Sequence, residues 1–361
     1  MKYVDEFRNE KLIEKLAGII RKSGDSRLTF MEVCGGHTSA IHRFGIPSLL
    51  PENIRLISGP GCPVCVTGKE LIDKAIICSR IDDLILTTFG DMIRVPGSAS
   101  SLEKEKSRGA DIRIVFSALE ALDIARRNPD RKVVFMAVGF ETTAPGTAVT
   151  LEMAEKERTG NFFILNAHKV MPPAMRALLN GGVKIDGFIC PGHVAAITGS
   201  SIFDFIPEEF GLGCVVTGFE PVDIMQAVLM LIKQVKHDVP EVEIEYNRVV
   251  SREGNKIALG YIKDCFDPCN AKWRGLGTIP DSGLKLNKKF STFDAEKFIP
   301  PDFIETGDDG ACICGDILRG MATPGECPLF ASVCTPDNPA GACMVSNEGT
   351  CNTWYKYKRD E

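Results

Sequence analysis

The chemistry open to this chain is concentrated in its thiols, of which 361 residues carry fourteen. Six close the sequence as Cys312-x-Cys314-x12-Cys327-x6-Cys334-x8-Cys343-x7-Cys351, and no histidine follows His237. An all-thiolate set suits soft metal centres, either zinc or iron–sulfur. Structural zinc sites usually pair their ligands at C-x2–4-C spacing. The later cysteines here are well separated, so the pattern points to a 4Fe-4S cluster on four of the six, with structural zinc as the alternative. Two thiols then remain, enough for a redox pair beside the metal. Residues 301–361 contain few apolar runs, as expected of a segment whose core is a metal centre.

A second constellation is Gly59-Pro-Gly-Cys62-Pro-Val-Cys65, a C-x-x-C at a strand-to-helix turn. A helix N-terminus favours thiolate, so a reactive dithiol of lowered pKa is expected. It is not a phosphate loop: six residues separate Gly61 from Gly68, and Glu70 stands where a magnesium-binding hydroxyl would be needed. A third is Glu32-Val-Cys34-Gly-Gly-His37, in which the glycines let a ligand approach the sulfur and the imidazole can orient it. No hydrolase nucleophile signature surrounds Cys34, and His42 is expected to be packed or solvated. Cys190-Pro-Gly-His193 leaves His193 open to a core or a functional role, and Asp91 and Arg94 in Phe89-Gly-Asp-Met-Ile-Arg can pair with each other. Cys78, Cys190 and Cys214 sit in apolar runs and read as small core residues. Cys265 and Cys269 form a C-x3-C in a polar stretch, expected to be a loop, where they could capture metal or oxidise.

These residues must be positioned by alternating strands and helices. Apolar spacing predicts an opening amphipathic helix over residues 4–22. Strands follow at 28–33, 54–58 and 84–88, each closing on a glycine-rich turn, with helices at 67–80 and 117–127. The pattern continues with strands at 133–138, 162–165, 187–190 and 213–217 and helices at 172–180 and 221–235. Val138-Gly-Phe-Glu141 and Thr217-Gly-Phe-Glu220 are a weak internal echo, each between a strand and a helix. This is the signature of an α/β fold with parallel sheets, whose functional loops lie at the carboxyl ends of the strands. The expected division is an N-terminal helix at 1–25, a first α/β lobe at 26–128, a second at 129–240, and a C-terminal cluster domain at 241–361.

Hydrophobic residues at 44% and charged residues at 25% fit a globular protein. A net charge of −6 without dense basic tracts argues against nucleic-acid binding. No stretch reaches the roughly 18 apolar residues of a membrane span, and the first residues lack the pattern of a secretory signal. A cytoplasmic protein is expected, in which reduced thiols imply metal or redox chemistry before structural disulfides.

Seven motifs in order carry a resemblance: Cys34-Gly-Gly-His37, Gly59-Pro-Gly-Cys62-Pro-Val-Cys65, Phe89-Gly-Asp-Met-Ile-Arg-Val-Pro-Gly-Ser, Gly139-Phe-Glu-Thr-Thr-Ala-Pro, Pro191-Gly-His193-Val, Trp273-Arg-Gly-Leu-Gly and Cys343-Met-Val-Ser-Asn-Glu348-Gly-Thr-Cys351. From about residue 30 onward the chain resembles the HypD family of nickel–iron hydrogenase maturation factors. The resemblance implies two Rossmann-like parallel-sheet lobes plus a C-terminal iron–sulfur domain. It implies a scaffold that works with HypC to assemble an Fe(CN)2CO unit, taking cyanide from the thiocyanate on HypE. Carried onto this chain, Cys34 ligates the transient iron with His37 close by, and Cys62 and Cys65 form the redox dithiol. Cys312, Cys327, Cys334 and Cys351 hold the 4Fe-4S cluster, Cys314 and Cys343 form a second thiol pair, and His193 and Glu348 are tied to activity. The C-x3-C of Cys265 and Cys269 departs from the family pattern. The competing readings are a general thiol-disulfide or iron–sulfur electron carrier and a structural zinc protein, neither of which gives the Cys34 motif a purpose.

Overall fold

The computed structural model describes residues 5–303 and 311–358. Near the N-terminus the helix Glu10–Arg21 is capped by Asn9, whose side chain accepts from Leu12 N at 3.1 Å. It buries Leu16, Ala17 and Ile20 in the cluster that includes Val228 and Leu231 of the helix Pro221–His237. Val4, where the helical spacing begins, lies outside the described residues.

Eleven strands are described: β1 Leu28–Glu32, β2 Ile54–Ser58, β3 Leu84–Thr88, β4 Ile112–Ile114, β5 Lys132–Gly139, β6 Phe162–His168, β7 Gly187–Pro191, β8 Gly213–Thr217, β9 Val242–Ile244, β10 Phe266–Trp273 and β11 Gly277–Leu286. The first nine build two parallel sheets, ordered β2-β1-β7-β8-β9 and β4-β3-β5-β6. Their central strands are apolar runs buried on both faces, such as Val133–Val138 in β5, because helices cover each side. The echo noted in the sequence is structural: Gly139-Phe-Glu leaves β5 and Gly218-Phe-Glu leaves β8, one in each sheet.

Sheet membership does not follow the successive lobes expected at 26–128 and 129–240. β1 and β2 pair with β7 to β9 across the chain, while β3 to β6 form a separate sheet from the segment between them. Strands of similar apolar composition give no sign of which sheet they join, so a βα repeat reads as consecutive when the chain leaves one sheet and later returns.

Beyond the sheets, β10 and β11 form an antiparallel hairpin turning at Arg274-Gly-Leu. Trp273 is fully buried, donates from Nε1 to Ser282 Oγ at 2.8 Å and stacks on Phe140 with centroids 5.8 Å apart. Arg274 donates from Nε to Thr67 O at 3.0 Å and from its backbone N to Val66 O at 2.8 Å. The hairpin turn thereby clamps the short helix Pro63–Val66. Residues 311–358 add short helices at Cys314–Leu318, Ala342–Val345 and Thr350–Tyr357. The last packs on the helix Gly35–Arg43. No helix among the described residues is long and apolar enough to cross a membrane.

Candidate functional site

Parallel pairing of β1 with β2 and β7 brings three glycine-rich turns to one edge of the first sheet, at the carboxyl ends of its strands. Cys34 follows β1 and caps the helix Gly35–Arg43. Its thiol faces His193 Nδ1 at 3.9 Å, where His193 opens the helix after β7. Three glycines permit this convergence. A Cβ at Gly61 would lie 2.0 Å from Cys34 N, one at Gly35 would lie 2.6 Å from Glu348 Cβ, and one at Gly36 would press on Phe219 at 3.2 Å. The chain segments touch where side chains are missing.

Both site imidazoles are neutral, because burial pushes His37 and His193 down to about 4. His37 Nε2 lies 2.9 Å from Gly218 O, so that nitrogen carries the proton and donates it to the carbonyl. Nδ1 is left as a buried acceptor with no partner among the described residues. Phe219 stacks on His37 at 4.6 Å and leans on His193 at 5.1 Å, setting both rings. Beneath them, Glu32 accepts from Cys34 N at 2.9 Å and from the Thr38 hydroxyl. Burial pushes its carboxyl up to about 8, so it is mostly protonated at neutral pH. The Cys34 thiol is itself raised, first by burial and then by the nearby Glu348 carboxylate.

Next along the edge, Cys62 and Cys65 place their sulfurs 2.6 Å apart. The lowered pKa expected of this dithiol is not found at Cys65, whose thiol is raised by full burial and then by its contacts with Cys343 and Cys62. A helix of only four residues does not offset complete removal from water. Cys343 in turn lies 3.3 Å from Cys314. Hydrogen bonds from Cys314 and Cys65 pull the Cys343 thiol down. Cys314 also contacts Cys312, so thiols run without a break from Cys62 through Cys65, Cys343 and Cys314 to Cys312.

Cys312, Cys327 and Cys334 all lie in electrostatic reach of Cys351. Cys334 Sγ accepts from Ala340 N at 3.3 Å. Among the described residues no three His, Cys, Asp or Glu side chains converge to hold a single metal ion. Cys314 lies within the same reach, so the group around Cys351 holds thiols only.

Other sequence candidates fall elsewhere. Cys78, Cys190 and Cys214 are fully buried core residues. Cys265 is not in a loop: it ends the helix Lys256–Cys265, with its thiol directed to Ala148 O at 3.6 Å, while Cys269 lies on β10 beside Lys169. Asp91 and Arg94 are drawn apart by the C-terminal segment, Arg94 donating to Pro336 O at 2.8 Å and Asp91 accepting from Ser346 Oγ at 3.5 Å. His42 packs edge-on against Trp354 at 5.9 Å, away from Cys34. Two residues of the site carried no sequence assignment. Glu32 precedes Cys34 in its motif with no role that residue type alone assigns, and Phe219 stands out in the sequence only through the internal echo.

A family model described as "HypD: Hydrogenase formation hypA family" matches residues 8–358. The chain is 48% identical to hydrogenase maturation factor HypD2 of Bradyrhizobium diazoefficiens, over 99% of this chain and 97% of that protein. It is 45% identical to hydrogenase maturation factor HypD of Cupriavidus necator, covering 99% and 98%, and 43% identical to that of Escherichia coli, covering 100% and 99%. With the Cys34, Cys62/Cys65 and C-terminal thiol motifs all in place, the chain belongs to the HypD family of hydrogenase maturation factors.

Proposed function

We propose that this maturation factor is a redox-active scaffold that, together with HypC, assembles the Fe(CN)2CO unit and accepts cyanide from the thiocyanate of HypE. The observation that carries this reading is the unbroken line of thiols ending at Cys62 and Cys65, one residue from the Gly61 backbone that lies against Cys34. Release of cyanide from a thiocyanate needs two electrons, and a dithiol gives two on closing a disulfide. The balance is R–SCN plus two Cys–SH giving R–S⁻, CN⁻, one Cys–S–S–Cys and two protons. Cys62 and Cys65 supply those electrons.

Cys34 holds the iron that receives cyanide, and the cation compensates the thiolate that burial and Glu348 otherwise disfavour. His193 and neutral His37 flank the iron-bound ligands, held in place by Phe219 and the Gly218 carbonyl. Glu348 reaches the site from the C-terminal segment, where burial and then Asp91 raise its carboxyl. The family resemblance assigns a 4Fe-4S cluster to Cys312, Cys327, Cys334 and Cys351, and in support these are thiols in electrostatic reach of Cys351, a reach that Cys314 shares. Such a cluster supplies electrons singly. Cys314 and Cys343 adjoin both this set and the Cys62/Cys65 dithiol, and their pair can accumulate two electrons. The free thiols call for a reducing compartment, the cytoplasm.

The test is infrared spectroscopy in the cyanide and carbonyl region on protein purified without oxygen from cells carrying the other maturation factors. Bands that vanish in Cys34→Ala support the scaffold. A brown protein with no such bands in the presence of HypC is a general electron carrier instead.

A further inference from the structure

Behind the dithiol helix, and outside the Cys34 site, lies a polar cavity of about 230 Å³ between the helix Lys69–Ser79, the end of β6 and the β10–β11 hairpin. Lys169 lines it and is only 5% exposed. Every other charged or titratable group on the cavity wall is accounted for. Lys74 is paired with Glu296 at 2.8 Å, and Lys272 with Glu70 at 3.8 Å. His168 is held between Asn166 Oδ1 at 2.6 Å and Thr147 Oγ1 at 3.5 Å, and burial pushes it down to about 3, so it is neutral. Cys269 contributes a thiol raised by burial.

Lys169 is the exception. Among the described residues nothing hydrogen-bonds its Nζ, whose close company is the face of Trp273 at 5.7 Å and the field of Glu70, already shared with Lys272. Three lysines against two glutamates leave one positive charge on the cavity wall. A buried ammonium that lacks a hydrogen-bond acceptor is stabilised when an anion joins it.

We propose that this cavity is a binding site for one small monoanion, a carboxylate or a pseudohalide, held on Lys169 Nζ. The excess of one lysine over the two glutamates sets the valence, and a cavity of about 230 Å³ has room for a small ion. Burial lowers the amine to about 8. The amine is therefore charged and ready at neutral pH, and above pH 8 the anion binds only with uptake of a proton. Affinity is level below that pH and falls about tenfold per unit above it.

The probes are radiolabelled formate and thiocyanate, measured by equilibrium dialysis against the reduced full-length protein. One saturable equivalent of either anion is expected, weakened at least tenfold by Lys169→Gln and less than threefold by Lys272→Gln. Formate alone identifies a carboxylate site, thiocyanate alone a pseudohalide site, and both a general monoanion site. Binding that persists in Cys34→Ala separates this site from the proposed iron centre. Should Lys169→Gln fail to fold, acetylation of the wild-type protein at pH 8 gives the same answer. The anion must then protect Lys169 and leave Lys74 and Lys272 unprotected. Saturation by neither anion, or wild-type affinity in folded Lys169→Gln, overturns the proposal, as does acetylation of Lys169 unaffected by the anions.

Discussion

Gly61 and Cys34 meet backbone to backbone: Gly35 N donates to Gly61 O at 3.1 Å, and a Cβ on residue 61 would come within 2.0 Å of Cys34 N. The dithiol turn and the candidate iron ligand are thus one rigid unit. Gly61→Ala must push the two turns apart, at a cost of about 1–3 kcal/mol. Thermal unfolding is expected to show that loss, and iron content after anaerobic purification is expected to fall further than stability does. An unchanged iron-to-protein ratio in a destabilised variant would dissociate the two motifs.

Cys343 touches both Cys65 and Cys314, so it can exchange partners between the two dithiols. In the Cys62→Ala, Cys314→Ala double variant, mild oxidation is expected to join Cys65 to Cys343. Peptide mass spectrometry under non-reducing conditions reads that cross-link directly. Its absence, with both thiols still alkylatable, would break the continuity of the line.

Phe219 fixes two imidazoles at once, one stacked and one tilted. Phe219→Leu keeps most of the apolar contact and is expected to cost about 1 kcal/mol or less beyond the lost ring–ring term. The infrared bands of bound cyanide should nonetheless drop several-fold, since a leucine has no flat face to hold either ring. Retention of full band intensity would reduce Phe219 to packing.

Glu141 accepts from Met171 N at 2.8 Å through Oε1, while Oε2 is buried with no partner among the described residues. Burial pushes this carboxyl up to about 7, above its ordinary 4.5. The native state therefore holds a proton that the unfolded chain releases between those values, and stability falls as pH rises through that window and levels off above it. The shift corresponds to roughly 3–4 kcal/mol. Glu141→Gln keeps an oxygen for Met171 N and has no proton to lose. Its melting temperature relative to wild type is expected to rise by a few degrees between pH 5 and pH 8, and a constant difference would place the Glu141 titration elsewhere.

The strand runs were legible because a buried parallel strand is a continuous apolar stretch: β2, β3 and β8 coincide with the segments read from the sequence. The thiol motifs were legible because few residue types do soft-metal and redox chemistry. Which strands share a sheet was not, since register between β1 and β7 is set by packing over a long chain separation. Nor was the role of Glu32, whose carboxyl gains meaning only from burial beneath Cys34, Thr38 and Ser58. The expected acidity of Cys65 failed for the same reason, because a C-x-x-C spacing does not report how much water reaches the sulfur.

The interleaving of the two sheets bears on biosynthesis. β1 and β2, with Cys34 and Cys62 attached, leave the ribosome long before β7 to β9 exist to complete their sheet. The intervening strands β3 to β6 form a contiguous insertion that can fold in the meantime as a unit of shorter loops. The nascent chain therefore carries its reactive thiols on an unfinished sheet edge until Ile244 has emerged. It is newly made, half-translated protein, rather than the mature fold, that is most open to oxidation and mispaired disulfides.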